Sequence, residues 1–164
     1  MHLTWKELTI DTEGLDVSHL LDAWRWLVDG AMQPMIITAA GDMFLRNLDG
    51  QVFWLNTIDG QLGLATESVA QFREQMTQSE FTEEWFMPGL VAQMLAAGVK
   101  LEPGQCYSFK QPPILGGSFE ADNIEPCDLV VHFSMSGQIH EQIKDLPEGT
   151  SISDIRIVHE GEEE

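Results

Sequence analysis

Residues 137–149 read GQIHEQIKDLPEG, and within them His140-Glu141-x-x-Lys144 falls one residue short of the His-Glu-x-x-His pattern of zinc proteases. In that pattern two imidazoles on one helix face hold the metal while the Glu acts as base. Placed on a helix at about 100° per residue, Ile139, Ile143 and Leu146 fall within roughly 60° of one another and form the inward stripe. His140 flanks that stripe and Glu141 points about 160° from its centre, so the two cannot meet at one substrate atom. Lys144 holds the place of the second ligand, and an ammonium repels a metal cation. The protease reading fails on residue type and on direction.

His132 is the second candidate. In DLVVHFSMS, residues 128–136, the alternation predicts a strand with Leu129, Val131, Phe133 and Met135 on one face. Val130, His132 and Ser134 then share the other. A metal set of His132, His140, Cys127 and Asp128 lacks compact ligand spacing, and Cys127 and Asp128 would point to opposite sides of such a strand. Histidines hydrogen-bonded to backbone or carboxylates are the better reading. GxSxG, GxxxxGK[ST] and GxGxxG motifs are all missing. Cys106 and Cys127 have no basic neighbour placed to lower a thiol pKa. The chain is expected to be non-enzymatic, with no catalytic residue, no metal and no cofactor. A small metal-dependent hydrolase using His132 and His140 is the alternative chemistry, and an acidic adaptor domain without a toxin partner is the other.

Behind these residues must stand a scaffold. The 164 residues are 43% hydrophobic, enough for a packed core in one domain. Asp and Glu number 27 against 8 Lys and Arg, a formal charge of −19. Such a balance excludes a direct DNA or RNA reader and disfavours anionic membranes; it favours steered association with a basic protein. The start, MHLTWKELTIDTEG, has no basic-then-apolar signal, no stretch is apolar enough to span a membrane, and two cysteines make no disulfide framework. A cytoplasmic protein with reduced thiols is the expectation.

Ser18 is placed to cap a first helix carrying Leu20, Leu21, Trp24, Leu27 and Val28, with Gly30 as its stop. From residue 35 to 66, apolar runs broken by Gly41-Asp42, Asp49-Gly50 and Asp59-Gly60 predict an antiparallel meander of about four strands. Helices are expected over 67–77 and 82–97, the second kinked or split at Pro88. A strand at 105–110, a loop through 111–126, the strand at 128–136, a helix over 137–147 and a last strand at 151–158 complete the chain. The result is one α+β domain over 1–158, a meander sheet packed with several helices, followed by a frayed acidic tail at 159–164.

One stretch is more specific than any catalytic template. Pro112-Pro113-Ile114-Leu115-Gly116-Gly117, Asn123-Ile124-Glu125, Val131-His132-Phe133, Gly137-Gln138-Ile139-His140 and Lys144-Asp145-Leu146-Pro147 before Gly149 resemble a bacterial family named for the C-terminal domain of a type VI secretion immunity protein. Upstream, Gly41-Asp42 and Gly50-Gln51-Val52-Phe53-Trp54 look like the same family's meander, so the resemblance covers about residues 30–157. Many members carry a further, GAD-like N-terminal domain, which the resemblance leads one to expect as missing or much reduced here. The resemblance implies a protein that binds and blocks a cognate toxin, a DNase in the namesake. Of its motif glycines, Gly41 and Gly50 belong to the hairpin turns, and Gly116, Gly117 and Gly137 suit positive φ or close approach. Asn123, His132 and Gln138 suit fixing the long loop by hydrogen bonds. The toxin-facing surface is then expected at the acidic turns, Asp42, Asp49 and Asp59, with Glu83, Glu84 and Trp85. Trp54 and Trp85 are nonetheless of a kind more often found in cores. Oligomeric state has no signature in the sequence.

Overall fold

A computed structural model describes residues 3–146. The strand at 151–158, the acidic tail, Pro147 and Gly149 lie outside the described residues.

The meander is present as expected. Strands β1 (Gln33–Ile37), β2 (Met43–Arg46), β3 (Val52–Asn56) and β4 (Gln61–Thr66) pair antiparallel in the order β1-β2-β3-β4. Its three turns fall on Gly41, Gly50 and Gly60, with φ of +92°, +83° and +69°, a region where a side chain costs energy. Successive residues of β2 point to opposite faces, and each face carries its own core. Phe44 joins Val52, Phe72, Trp85, Phe86, Val91, Met94 and Tyr107 on one side. Met43 and Leu45 join Leu21, Trp24, Ile37, Leu55, Leu129 and Phe133 on the other. The fold is α+β, its sheet covered on both faces.

Helices α2 (Val69–Gln75), α3 (Ser79–Phe86) and α4 (Pro88–Ala96) cover the first face, after a short α1 (Trp5–Leu8). Ser68 caps α2, its hydroxyl accepting from Gln71 N. The long second stretch is split at Pro88, as expected. Met87 before it takes a left-handed conformation (φ 49°, ψ 56°) and serves as the end of α3 and the start of α4.

Two expectations need correction. No α-helix follows Ser18; two 3₁₀ turns, Val17–His19 and Asp22–Trp24, stand there, the first capped by Asp16. In a 3₁₀ turn residues three apart eclipse, which lines Leu21, Trp24 and Leu27 up against the second core. The larger correction concerns residues 128–136. They form no strand: α5 runs unbroken from Leu129 to Ile143. Its inward positions, Leu129, His132, Phe133, Gly137, Ile139 and His140, follow the spacing of three, four and seven residues of a helix. The strand at this place in the chain is β6 (Ile124–Asp128), which starts within the expected loop and runs past its end, paired antiparallel with β5 (Gln105–Phe109). Two 3₁₀ turns, Pro113–Leu115 and Ala121–Asn123, order the rest of that loop.

Candidate functional site

His132 and His140 are eight residues apart on α5, about 12 Å along the axis and a little over two turns, so both imidazoles leave the same helix face. That face crosses the end of the meander where the β1–β2 and β3–β4 turns lie together. His132 Nε2 lies 2.8 Å from the Gly41 carbonyl oxygen in the first turn. His140 Nε2 lies 2.9 Å from the Thr57 carbonyl oxygen in the second. A carbonyl only accepts, so each Nε2 carries the hydrogen and each ring is the Nε2–H tautomer. The glycines make room for the rings. A Cβ on Gly41 would stand 2.4 Å from His132 Nε2, and one on Gly60 would stand 2.3 Å from His140 Nδ1.

Between the two histidines lies a buried polar chain. Asp42 Oδ1 accepts from Thr57 N and Thr57 Oγ1, each at 3.0 Å, and Asp42 Oδ2 accepts from Trp54 Nε1 at 3.1 Å. Thr57 Oγ1 is also 2.9 Å from the Gly41 carbonyl and 3.3 Å from His132 Nε2. On the far side of the ring, His132 Nδ1 accepts from the Ser108 hydroxyl at 2.8 Å. Burial lifts the Asp42 carboxyl to about 6, against the pull of its hydrogen bonds from Thr57 and Trp54. Burial likewise drops His132 to about 4, opposed by its bond to Gly41, and lowers His140. At neutral pH the cluster is one carboxylate held by neutral donors beside two neutral imidazoles.

Ser108, Lys110, Pro112, Cys127, His132 and His140 line a cleft of about 110 Å³ between α5 and the β5–β6 hairpin. Ser108 and His132 have the spacing of a nucleophile and its base. A base must hold a proton during the reaction, however, and the burial of His132 opposes that, with the Gly41 carbonyl offsetting only part of the effect. The His132/His140/Cys127/Asp128 metal set is not assembled, since His132 spends both nitrogens on Gly41 and Ser108. Among the described residues no three His, Cys, Asp or Glu side chains are grouped to hold a metal. Burial raises both thiols, Cys106 most, which removes them as nucleophiles at neutral pH.

The expected contact residues do not form one surface. Asp42 is 1% exposed and Trp85 4%, both inside the fold, so neither can touch a partner as placed here. Trp85 packs on Phe44, Phe72 and Phe81. Asp49 and Asp59 are exposed but sit in turns at opposite ends of the meander, and Glu83 and Glu84 are exposed on α3. The motif residues act within the chain. Asn123 Nδ2 donates to the Gln111 and Ser118 carbonyls while its Oδ1 accepts from Gln111 N, closing the loop that holds Pro113 and Gly116. A Cβ on Gly117 would lie 1.7 Å from the Gln111 carbonyl oxygen. One on Gly137 would lie 2.6 Å from that of Ala23, so α5 meets the N-terminal 3₁₀ turn backbone to side-chain-free backbone. Gln138 donates to Ser134 Oγ along α5, and Asp145 meets Lys144 at 3.1 Å. Three members of the cluster escaped sequence reasoning. Thr57 and Ser108 are small polar residues with no motif around them, and Gly60 read only as a turn residue.

Residues 66–140 match the family described as T6SS immunity protein Tdi1, C-terminal. The family resemblance read from the sequence holds over this stretch, just under half of the chain. Gly41, Asp42 and Gly50 precede the match, Asp145 and Pro147 follow it, and His132 and His140 lie within. No curated protein matches the chain. Among solved structures, that of Atu4351 from Agrobacterium tumefaciens aligns with a TM-score of 0.47 at 20% identity, covering 65% of this chain and 54% of that one. The alignment thus spans about half of that protein's length.

Proposed function

We propose that this chain is an immunity protein, a binding protein without catalytic activity that neutralises a cognate toxin by covering its active or nucleic-acid-binding surface. The observation that carries the reading is the immunity-family match at residues 66–140 in a chain of net charge −19. The toxin this charge suits is a basic, nuclease-type domain, because a nuclease must offer cations to phosphate and an anionic inhibitor occupies the same ground. Among the described residues the only Lys or Arg side chains within 4 Å of a carboxylate are Arg25 on Asp22 and Lys144 on Asp145. Most of the negative field is therefore uncompensated and available for steering. The polar cluster supports the same reading from the other side, since its groups are spent on each other and on backbone carbonyls.

Protection against a lethal enzyme calls for an affinity near nanomolar, about −12 kcal/mol. Such a protein acts where the toxin acts, which for a nuclease is the cytoplasm. None of the described helices is long and apolar enough to cross a membrane. The test is co-expression with the toxin encoded beside this gene: cells survive, and the two proteins co-purify at low salt. Death of the cells together with absence of a complex would end the immunity reading. Turnover of a substrate by the purified chain would end the non-catalytic part of it.

A further inference from the structure

The two edges of the meander are treated differently. Along β1, Ile10 N donates to the Ile37 carbonyl, Ala39 N donates to the Leu8 carbonyl, and beyond it Tyr107 N donates to the Ala39 carbonyl at 2.7 Å. That edge is closed by the chain's own backbone at its Ile37 end, and the rest of the strand carries Pro34. Along β4, none of the backbone hydrogen bonds among the described residues outside the β3–β4 ladder involves residues 61–66. The strand reads Gln-Leu-Gly-Leu-Ala-Thr, with no charge and no proline to guard it, and Leu64 is 49% exposed. A bulge at the Thr66 end leaves Gln61 to Leu64 in regular register with Asn56 to Phe53. An open, uncharged edge is a template for another strand, and monomeric proteins normally blunt such edges.

The charges beside the edge select the occupant. Asp59 precedes β4 and Glu67 follows it, both exposed, each held by a neutral amide: Asn56 Nδ2 at 3.1 Å from Asp59 and Gln51 Nε2 at 2.9 Å from Glu67. Their negative charge is fixed in place without being neutralised. A second copy pairing antiparallel would set Asp59 of each chain against Glu67 of the other, between bodies of net charge −19. Residues 147–164 of this chain carry six carboxylates against one arginine, five of those carboxylates outside the 151–158 stretch, where they would add to the negative charge at the edge. A strand with an apolar centre and Lys or Arg at both ends meets neither obstacle.

We infer that β4 is the docking edge for the toxin, which adds one of its own strands to the sheet with basic side chains seated on Asp59 and Glu67. The inference rests on the immunity reading and gives it a binding mode: main-chain hydrogen bonds supply affinity and the two flanking carboxylates supply register. The experiment is amide hydrogen exchange over residues 61–66, in the free chain and in its complex with the toxin encoded beside it. Outward amides of β4 exchange fast in the free chain and slow on the order of a hundredfold in the complex. Leu64→Lys, a change at an exposed site, weakens toxin binding by about tenfold or more. Val130→Lys, which adds the same charge to the exposed side of α5, leaves it within about twofold. Slow exchange of β4 in the free chain, or a dimer that Leu64→Lys dissociates, overturns the inference because the edge already has an occupant. Toxin bound by the wild type with no change at residues 61–66, or bound equally by Leu64→Lys, overturns it while leaving the immunity reading intact. A toxin that the wild type neither binds nor neutralises removes both.

Discussion

Gly41 and Gly60 sit where a methyl group has no room, and the consequence is measurable residue by residue. An alanine at either place combines a left-handed backbone with a Cβ inside the van der Waals radius of an imidazole. Gly41→Ala and Gly60→Ala are each expected to cost about 2–4 kcal/mol in denaturant unfolding; a cost below ~1 kcal/mol would mean the rings are not seated as described. Asp42 and His132 also set the pH response. The Asp42 carboxyl is raised from 3.8 to about 6, so the folded chain keeps a proton that the unfolded chain has lost. Its contribution is full at low pH and fades as pH rises through that window. His132 is lowered from 6.5 to about 4, so the unfolded chain gains a proton that the folded chain refuses. Its contribution is full above pH 6.5 and fades as pH falls, and His140, also lowered, acts in the same direction. Between about pH 4 and 6 the two effects oppose one another. Asp42→Asn removes one of them, so its melting temperature should fall more steeply on acidification from pH 6.5 than that of the wild type. A shallower fall contradicts the assignment.

At the scale of elements, α5 is where sequence and structure part most clearly. Residues 128–136 alternate in polarity, and Val130 and Val131 are β-branched, so the period-two pattern is real. What hides the helix is the composition of its inward face: of six buried positions, two are His and one is Gly. An apolar count passes over all three. The buried network that makes histidine an acceptable core residue involves Gly41, Thr57 and Ser108, which are distant in sequence and cannot be found without the fold. The meander, by contrast, was legible because each of its turns carries an Asp-Gly or Gly-Asp pair, a local signal. The split at Pro88 was legible for the same reason. Gly137 gives the element its test. Helix propensity alone says Gly137→Ala should stabilise α5 by about 1 kcal/mol. The Ala23 carbonyl in its path says the opposite, a loss of roughly 2–4 kcal/mol with α5 lifted from the 3₁₀ turn. Thermal unfolding of that single variant decides which effect wins.

The whole molecule is governed by its field. A net charge of −19 attracts a basic partner from beyond contact distance, so association with the toxin should be fast and salt-sensitive. Raising ionic strength from about 20 mM to about 500 mM is expected to cut the association rate constant about tenfold or more, with a smaller effect on dissociation. Stopped-flow mixing measures both. Equal rates at the two salt concentrations would remove electrostatic steering from the account and leave the acidity as a solubility trait.

Strand β2 lends Phe44 to one core and Met43 and Leu45 to the other, so neither side of the sheet is whole without it. The stretch that matches the family model begins only at residue 66. Cut out and expressed by itself, 66–140 would lack the four-stranded sheet that its helices cover, and circular dichroism should find it largely unfolded while the intact chain melts in a single step. The stretch that matches is here less than what must fold together.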